Sequence, residues 1–242
     1  MNYENKVVLV TGASRGIGKA LITFFASKKA NIIMTYNTSS DLSKKVKEDI
    51  ENVYHVNVSN YHLDLSNEED IKELYKSIKE EYGHLDILIN NAALSIDNDI
   101  DNLSKEDFMK VLEVNTVGTF LMIKYMSKLM NKDSYIFNIS STDGIDTGSI
   151  LSINYNVSKA GINNMTETIS RVIEPKIITI CPNWVDTESI HEMNQEYLTK
   201  EMKRINQVKL IKKEKIVEVI DDVLNNEVVS GSIIRIDGDI NE

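Results

Sequence analysis

The chain has 242 residues, 42% of them hydrophobic and 26% charged, with a formal net charge of −10. That length can bury a full α/β core, and the composition is that of a soluble globule rather than a fibrous or disordered chain. The acidic balance argues against non-specific binding to nucleic acid or an anionic membrane surface, and no apolar run nears the ~20 residues of a membrane span. Cys181 is the single cysteine, so no intrachain disulfide forms and a reducing compartment fits. The opening residues lead to an apolar run of only a few positions rather than a signal peptide, so the expected setting is cytoplasmic.

Residues 6–10 (Lys-Val-Val-Leu-Val) form a short apolar run rich in β-branched side chains, the pattern of a strand buried on both faces. Thr11-Gly12-Ala13-Ser14-Arg15-Gly16-Ile17-Gly18 follows at once, then a helical pattern through Leu21, Ile22 and Phe25. Strand, glycine-rich turn and helix in that order suit a dinucleotide. Glycines let the backbone approach a pyrophosphate, and the helix start offers amide donors and a positive dipole end. The spacing is Gly-x-x-x-Gly-x-Gly, not the commoner Gly-x-Gly-x-x-Gly, and a plain glycine-rich turn is the alternative.

Residues 31–35 predict a second strand and residues 41–50 a helix. An acidic residue at the end of that strand selects NAD by gripping the adenosine 2′-hydroxyl. Here Tyr36, Asn37, Thr38, Ser39 and Ser40 carry no carboxylate, and Arg15 is placed to meet a 2′-phosphate, so NADP(H) is expected over NAD(H). Arg15 as a plain solvent-facing loop residue is the alternative. A third strand is expected near residues 60–63, leaving Asp64 at its end, either meeting an adenine amino group or capping a turn. Ser66 and Glu69 have capping-box spacing, opening a helix through Ile71, Leu74, Tyr75 and Ile78 that stops at Gly83.

Residues 85–89 read as another buried strand running into Asn90-Asn91-Ala92-Ala93, a position where open α/β sheets bind ligands. Ser104 and Asp107 predict the start of one long amphipathic helix through Phe108, Val111, Leu112, Phe120, Leu121 and Met130, with Asn115 among apolar neighbours. Residues 134–139 predict a fifth strand ending in Ser140-Ser141-Thr142-Asp143-Gly144.

The stretch Asn154-Tyr155-Asn156-Val157-Ser158-Lys159-Ala160-Gly161 carries the sharpest chemistry. Tyr155 and Lys159 are four apart, hence on one face of a helix, one turn above the other. A phenol with a pKa near ~10 is a poor acid or base at neutral pH, and an ammonium beside it is expected to lower that value. Such pairs also occur by chance in helices; neighbouring motifs give this one its weight. A strand at residues 176–180 leads into Cys181-Pro182-Asn183-Trp184-Val185-Asp186-Thr187. Residues 188–209 are polar and weakly helical, either a surface excursion or a lid over the strand ends. A charged helix at residues 213–224 and a strand at residues 233–236 complete an alternation of strands and helices. The expected fold is therefore a single α/β domain over residues 1–242, a doubly wound parallel sheet of about seven strands with helices on both faces.

Taken together these motifs resemble the short-chain dehydrogenase/reductase family, over residues 6–239. Residues 11–18 look like its cofactor loop, Asn90-Asn91-Ala92 like the segment bracing the sheet beside the adenosine, and residues 182–187 like its nicotinamide-side turn. Asn115, Ser141, Tyr155 and Lys159 fall in the order of its catalytic tetrad. The resemblance implies that Gly12, Ser14, Arg15, Gly16, Ile17 and Gly18 hold NADP(H), joined by Asn37, Asp64, Asn91 and Ala92 and, near the nicotinamide, by Tyr155, Lys159, Pro182, Val185 and Thr187. It further implies that Tyr155 exchanges a proton with the carbonyl or alcohol, that Lys159 lowers the Tyr155 pKa, that Ser141 steadies the oxyanion, and that Asn115 holds a water against Lys159. No metal is implied.

Two departures stand out: Ala93 and Asn183 occupy positions usually held by glycine. The chain is also short around residues 171–176, near a helix that usually builds a tetramer interface; a homo-oligomer, tetramer or dimer, is expected. The resemblance is strongest to reductases of 3-oxoacyl thioesters carried on acyl carrier protein, a fatty-acid biosynthesis activity. Such an acidic partner wants a basic face, and Lys124, Lys128 and Lys132 at i, i+4 and i+8 offer one, unless they are an ordinary solvated face. Alternative substrates are a sugar, polyol or steroid alcohol, and a non-catalytic NADP(H)-binding sensor is the reading outside enzymes.

Overall fold

Short runs of Val, Ile and Leu become the strands of one parallel sheet because both of its faces are covered by helices. The computed structural model describes residues 1–238; Asp239, the far end of the resemblance, lies outside them. Strands β1 (Val7–Val10), β2 (Asn31–Tyr36), β3 (Val58–His62), β4 (Ile87–Asn90), β5 (Tyr135–Ile139), β6 (Lys176–Pro182) and β9 (Ile233–Ile236) pair in the order β3-β2-β1-β4-β5-β6-β9, all parallel. The strand order reverses between β1 and β4, which opens a crevice at the carboxyl ends of the sheet.

Successive strand residues face opposite layers. Val8 and Val10 point to the side packed by α1 (Gly16–Ser27), α2 (Ser40–Tyr54) and α9 (Lys213–Asn225), through Leu21, Phe25, Val46, Ile216 and Ile220. Val7 and Leu9 point to the other side, covered by α3 (Glu68–Glu81) and α5 (Gly118–Met126), through Ile71, Ile78, Leu121 and Met126. Helix α6 (Ile153–Ile169) joins that second layer by Met165 and Ile169.

Three local expectations are corrected. The helix after β3 is capped by Asn67, whose side chain accepts from the Glu69 N–H, because the Ser66 hydroxyl is turned back onto Asp64. The long helix expected from Ser104 to Met130 is broken into α4 (Lys105–Leu112), a π-helical turn (Glu113–Val117), α5 and a 3-10 turn (Ser127–Leu129). A π turn inserts one residue and swings its neighbours around the axis; here it turns Asn115 inward, to 1% exposure. The break also shortens the lysine row: Lys124 and Lys128 still share a face, each ammonium 5.0 Å from the centre of the Tyr125 ring, while Lys132 lies beyond the 3-10 turn. Lys124 is moreover engaged by Glu68 at 3.3 Å.

Residues 188–209 hold more structure than expected, with α7 (Glu188–Glu192) and α8 (Gln195–Arg204). They lie between β7 (Val185–Asp186) and β8 (Ile211–Lys212), which pair as a small ribbon. Tyr197 shares a 2.7 Å hydrogen bond with Ser149, and Gln207 donates to the Trp184 carbonyl at 2.8 Å. Among the described residues no helix is long and apolar enough to cross a membrane.

Candidate active site

Parallel pairing brings the ends of β1, β4, β5 and β6 to one edge, and the loops that follow them build two adjoining cavities. The larger, about 820 Å³, is lined by Gly12, Arg15, Asn37, Asp64 and Ala92 among others. The smaller, about 220 Å³, is lined by Ile17 and Asn91 from the first half of the chain and by Ser141, Tyr155 and Lys159 from the second. Pro182, Val185 and Thr187 close its far wall. Two groups of residues, one from the first half of the chain and one from the second, thus meet along one crevice.

The glycine loop is held from beneath by β4. Asn91 donates its side-chain amide to the carbonyls of Thr11 (2.9 Å) and Gly12 (3.1 Å), while the Thr11 hydroxyl accepts the backbone N–H groups of Asn91 and Ala92, both at 3.0 Å. Gly18 sits where that contact is closest, since a Cβ there would stand 2.5 Å from the Gly12 carbonyl oxygen. Helix α1 starts directly above. Its first turn has no acidic residue and Arg15 gives no side-chain cap, so its positive end lacks local compensation. The Gly16 N–H is instead taken by a carboxylate oxygen of Glu188 at 2.9 Å. An anion already rests where a dinucleotide's phosphates are expected, which fits the loop to that group. Ser14, within the loop, is buried and lines neither cavity. Asp64 accepts from the Ser66 N–H at 2.9 Å and the Ser66 hydroxyl at 2.7 Å, so it caps a turn while also bordering the larger cavity.

Ser141 and Tyr155 are brought together by the 3-10 turn Thr142–Gly144, which packs against α6. That approach demands glycine: a Cβ on Gly144 would stand 2.6 Å from the Ala160 nitrogen. The Ser141 oxygen accepts the Asp143 N–H at 3.0 Å, which leaves its hydroxyl hydrogen to be donated into the cavity. Lys159, at 2% exposure, reaches across to donate to the Ile139 carbonyl at 2.8 Å, with its nitrogen 5.3 Å from the centre of the Tyr155 ring.

The electrostatics differ from the expectation that Lys159 lowers the Tyr155 pKa. In the protein alone the phenol is raised above its usual value, first by burial and then by the Asp143 and Asp97 carboxylates. Lys159 is itself pulled down to about 8 by burial, partly offset by Cys181 and Asp143. Removing water penalises both charged forms more than the pair repays. Burial likewise pushes Cys181 up to about 11.

Asn115 is placed one layer behind this pair. Its side-chain oxygen accepts the Leu94 N–H at 2.7 Å, and its amide donates to the Leu94 carbonyl at 2.8 Å and the Ser158 hydroxyl at 3.0 Å. The side-chain amide thus fixes the loop after β4 against α6. Asn183 is also not strained: neither it nor Ala93 has a positive φ. Asn183 instead donates to Asp237 at 2.8 Å and accepts from Thr142, tying the turn after β6 to the turn after β5.

Sequence reasoning missed several supporting residues. Asn90 donates to Asn138 at 2.8 Å, Asn138 to Thr166 at 2.8 Å, and Thr179 to Thr166 at 2.7 Å, a buried polar ladder from β4 through β5 and β6 to α6. Polar residues inside otherwise apolar strands were the available signal, since most buried polar groups are paired, although the Asn90 side-chain oxygen itself has no partner among the described residues. Asp143 and Asp97 were also missed as influences on Tyr155.

A family profile described as short chain dehydrogenase matches residues 6–198. The 3-oxoacyl-(acyl-carrier-protein) reductase of Thermotoga maritima is 32% identical over 247 residues, covering 98% of both chains. That of Aquifex aeolicus is 30% identical over 245 residues, again covering 98% of both. Among solved structures, a short chain dehydrogenase from Burkholderia cenocepacia in complex with NADP superposes with a TM-score of 0.89 at 22% identity, covering 98% of both chains.

Proposed function

The chain belongs to the short-chain dehydrogenase family of oxidoreductases, and from that premise we propose that it reduces a carbonyl to an alcohol with NADPH, using Tyr155, Lys159 and Ser141. The observation that carries this reading is their meeting in one cavity beside the glycine loop. The larger cavity takes the adenosine side, where Arg15 and the uncharged Tyr36, Asn37 and Thr38 favour a 2′-phosphate. NADPH supplies the hydride when bound.

The Tyr155 phenol, held protonated by its surroundings, gives its proton to the carbonyl oxygen as negative charge develops there. The Ser141 hydroxyl donates a second hydrogen bond to the same oxygen, and its position is fixed beforehand by the turn it caps. Lys159 fixes the geometry from the Ile139 carbonyl and supplies positive charge beneath the phenol as the proton leaves. Asn115 acts through Ser158 and Leu94 as a positioning residue.

A 3-oxoacyl thioester on acyl carrier protein is the first substrate, supported by relatives of that activity matched along nearly the whole chain. A sugar or polyol is the second, favoured by the Asp143 carboxylate on the wall of the same cavity. Residues 188–209 serve as the lid of the cavity within a single domain. Val117, Phe120 and Val157, each at least 44% exposed, support burial in a homo-oligomer. A cytoplasmic setting accords with the single buried cysteine.

The test is loss of NADPH absorbance by the purified protein against an acetoacetyl thioester, free and on acyl carrier protein, alongside a sugar and a plain ketone. Turnover of one of these is expected, and Tyr155→Phe should lower it by ~10²- to 10⁴-fold with cofactor affinity retained. Near wild-type turnover in Tyr155→Phe overturns the assignment of the proton donor.

A further inference from the structure

Glu188 and Glu192 lie on α7, directly after Thr187, and both reach back to the cofactor loop. Glu188 places one carboxylate oxygen 2.9 Å from the Gly16 nitrogen, and its other oxygen lies 3.6 Å from the Lys213 ammonium. Glu192 stands 3.5 Å from the Arg15 guanidinium. The positive end of α1 is therefore compensated by a carboxylate from 172 residues away, and the arginine expected to read a 2′-phosphate is already paired.

A carboxylate and a phosphate ask for the same surroundings: an N–H donor, the positive end of a helix, and a cation nearby. The geometry points to α7 as an internal occupant of the cofactor's anion positions, with Glu188 in the place of the pyrophosphate and Glu192 competing for Arg15. The Gly16 N–H cannot serve a carboxylate and a phosphate equally, and two anions at one helix end repel. NADPH therefore binds by exchange, and loading the cofactor releases α7 from the loop. This inference rests on the cofactor reading given above. It couples cofactor entry to movement of the segment that borders the substrate cavity, where Ile190 of the same helix forms part of the wall.

Both contacts are open to water, with side-chain exposures of 48% for Glu188 and 68% for Glu192, so the competition is modest. The test is fluorescence titration with NADPH and NADH, and displacement by 2′,5′-ADP and by adenosine, for the wild type, Glu188→Gln, Glu188→Ala and Glu192→Gln. Glu188→Gln keeps the shape and loses the charge; Glu188→Ala loses both. Each is expected to bind NADPH and NADH about three- to tenfold tighter, alanine at least as strongly as glutamine. Glu192→Gln is expected to tighten NADPH and 2′,5′-ADP more than NADH, because it frees Arg15 alone. Adenosine, which has no phosphate, should be indifferent to all three.

Unchanged or weaker NADPH binding in both Glu188 variants, with the wild type binding normally, overturns the exchange and leaves the cofactor reading standing. A tightening that extends equally to adenosine overturns it too, because phosphate competition cannot act on a nucleoside. If neither the wild type nor any variant binds NADPH or NADH, the cofactor reading falls and takes the exchange with it.

Discussion

Replacing Lys159 with methionine separates what this residue costs the fold from what it gives the site. The side chain is at 2% exposure, and burial takes its pKa from an ordinary 10.5 to about 8. A fall of that size means that the buried ammonium destabilises the folded chain by about 3 kcal/mol at neutral pH. Methionine fills a similar volume without the charge but loses the bond to the Ile139 carbonyl, returning about 1 kcal/mol. The variant should be more stable than the wild type by about 2 kcal/mol at pH 7, a rise in Tm of ~4 to 8 °C for a chain of this size. The pH dependence follows from the direction of the shift. Below pH 8 the lysine is protonated in both states and the penalty is complete. Between 8 and 10.5 the folded chain has shed a proton that the unfolded chain keeps, so wild-type stability climbs with pH. The methionine advantage should therefore shrink across that window. Urea unfolding followed by circular dichroism, at fixed protein concentration and at both ends of the window, measures it. A methionine variant no more stable than the wild type at pH 7, or one whose advantage does not change with pH, refutes the assignment of a costly buried charge. Turnover should be lost in either case, as expected where function is bought with stability.

NADPH should exceed NADH in catalytic efficiency by at least about tenfold, or 1.4 kcal/mol, and Arg15→Ala should lower efficiency with NADPH far more than with NADH; steady-state kinetics with both cofactors decides this. Because burial, Asp143 and Asp97 all hold the proton on Tyr155, alcohol oxidation, which needs the phenolate, should rise about tenfold per pH unit between pH 7 and 10, while carbonyl reduction stays flat or falls. An oxidation profile that levels off below pH 8 contradicts that ordering.

The centre of the sheet was legible because strands such as β1 and β4 are continuous apolar runs, a pattern that a parallel sheet buried on both faces requires, whereas the edge strand β3 (Val-Ser-Asn-Tyr-His) is not one. The spacing of Tyr155 and Lys159 likewise placed both on one helix, and the glycine loop could be read from its position between β1 and α1. Where reading failed, a distant partner made the choice. The apolar period runs unbroken from Phe108 to Met130, yet the helix takes a π turn where Asn115 bonds Leu94 and Ser158 and where Gly118 lies so close to Leu65 that a Cβ would meet its carbonyl at 2.7 Å. Ser66 and Asn67 are both good caps, and only the contact of Ser66 with Asp64 gives the role to Asn67. Those partners are far apart in sequence or depend on a turn whose shape the spacing does not fix.

The charged groups carry the same lesson further. Spacing of four along a helix correctly says that Lys159 is near Tyr155, and an ammonium in water beside a phenol lowers its pKa. Whether it does so in a protein depends on what else surrounds the pair, because desolvation acts on each member separately while attraction acts only between them. Here Lys159 turns to the Ile139 carbonyl, Asp143 arrives from the turn after β5 and Asp97 from the loop after β4. The result is a phenol that holds its proton in the protein alone, the resting state that the proposed reduction needs, since its donor must arrive protonated. Glu188 at the start of α1 follows the same logic: its sequence neighbours mark it as part of a polar excursion, and only the fold sets it against an uncompensated helix end.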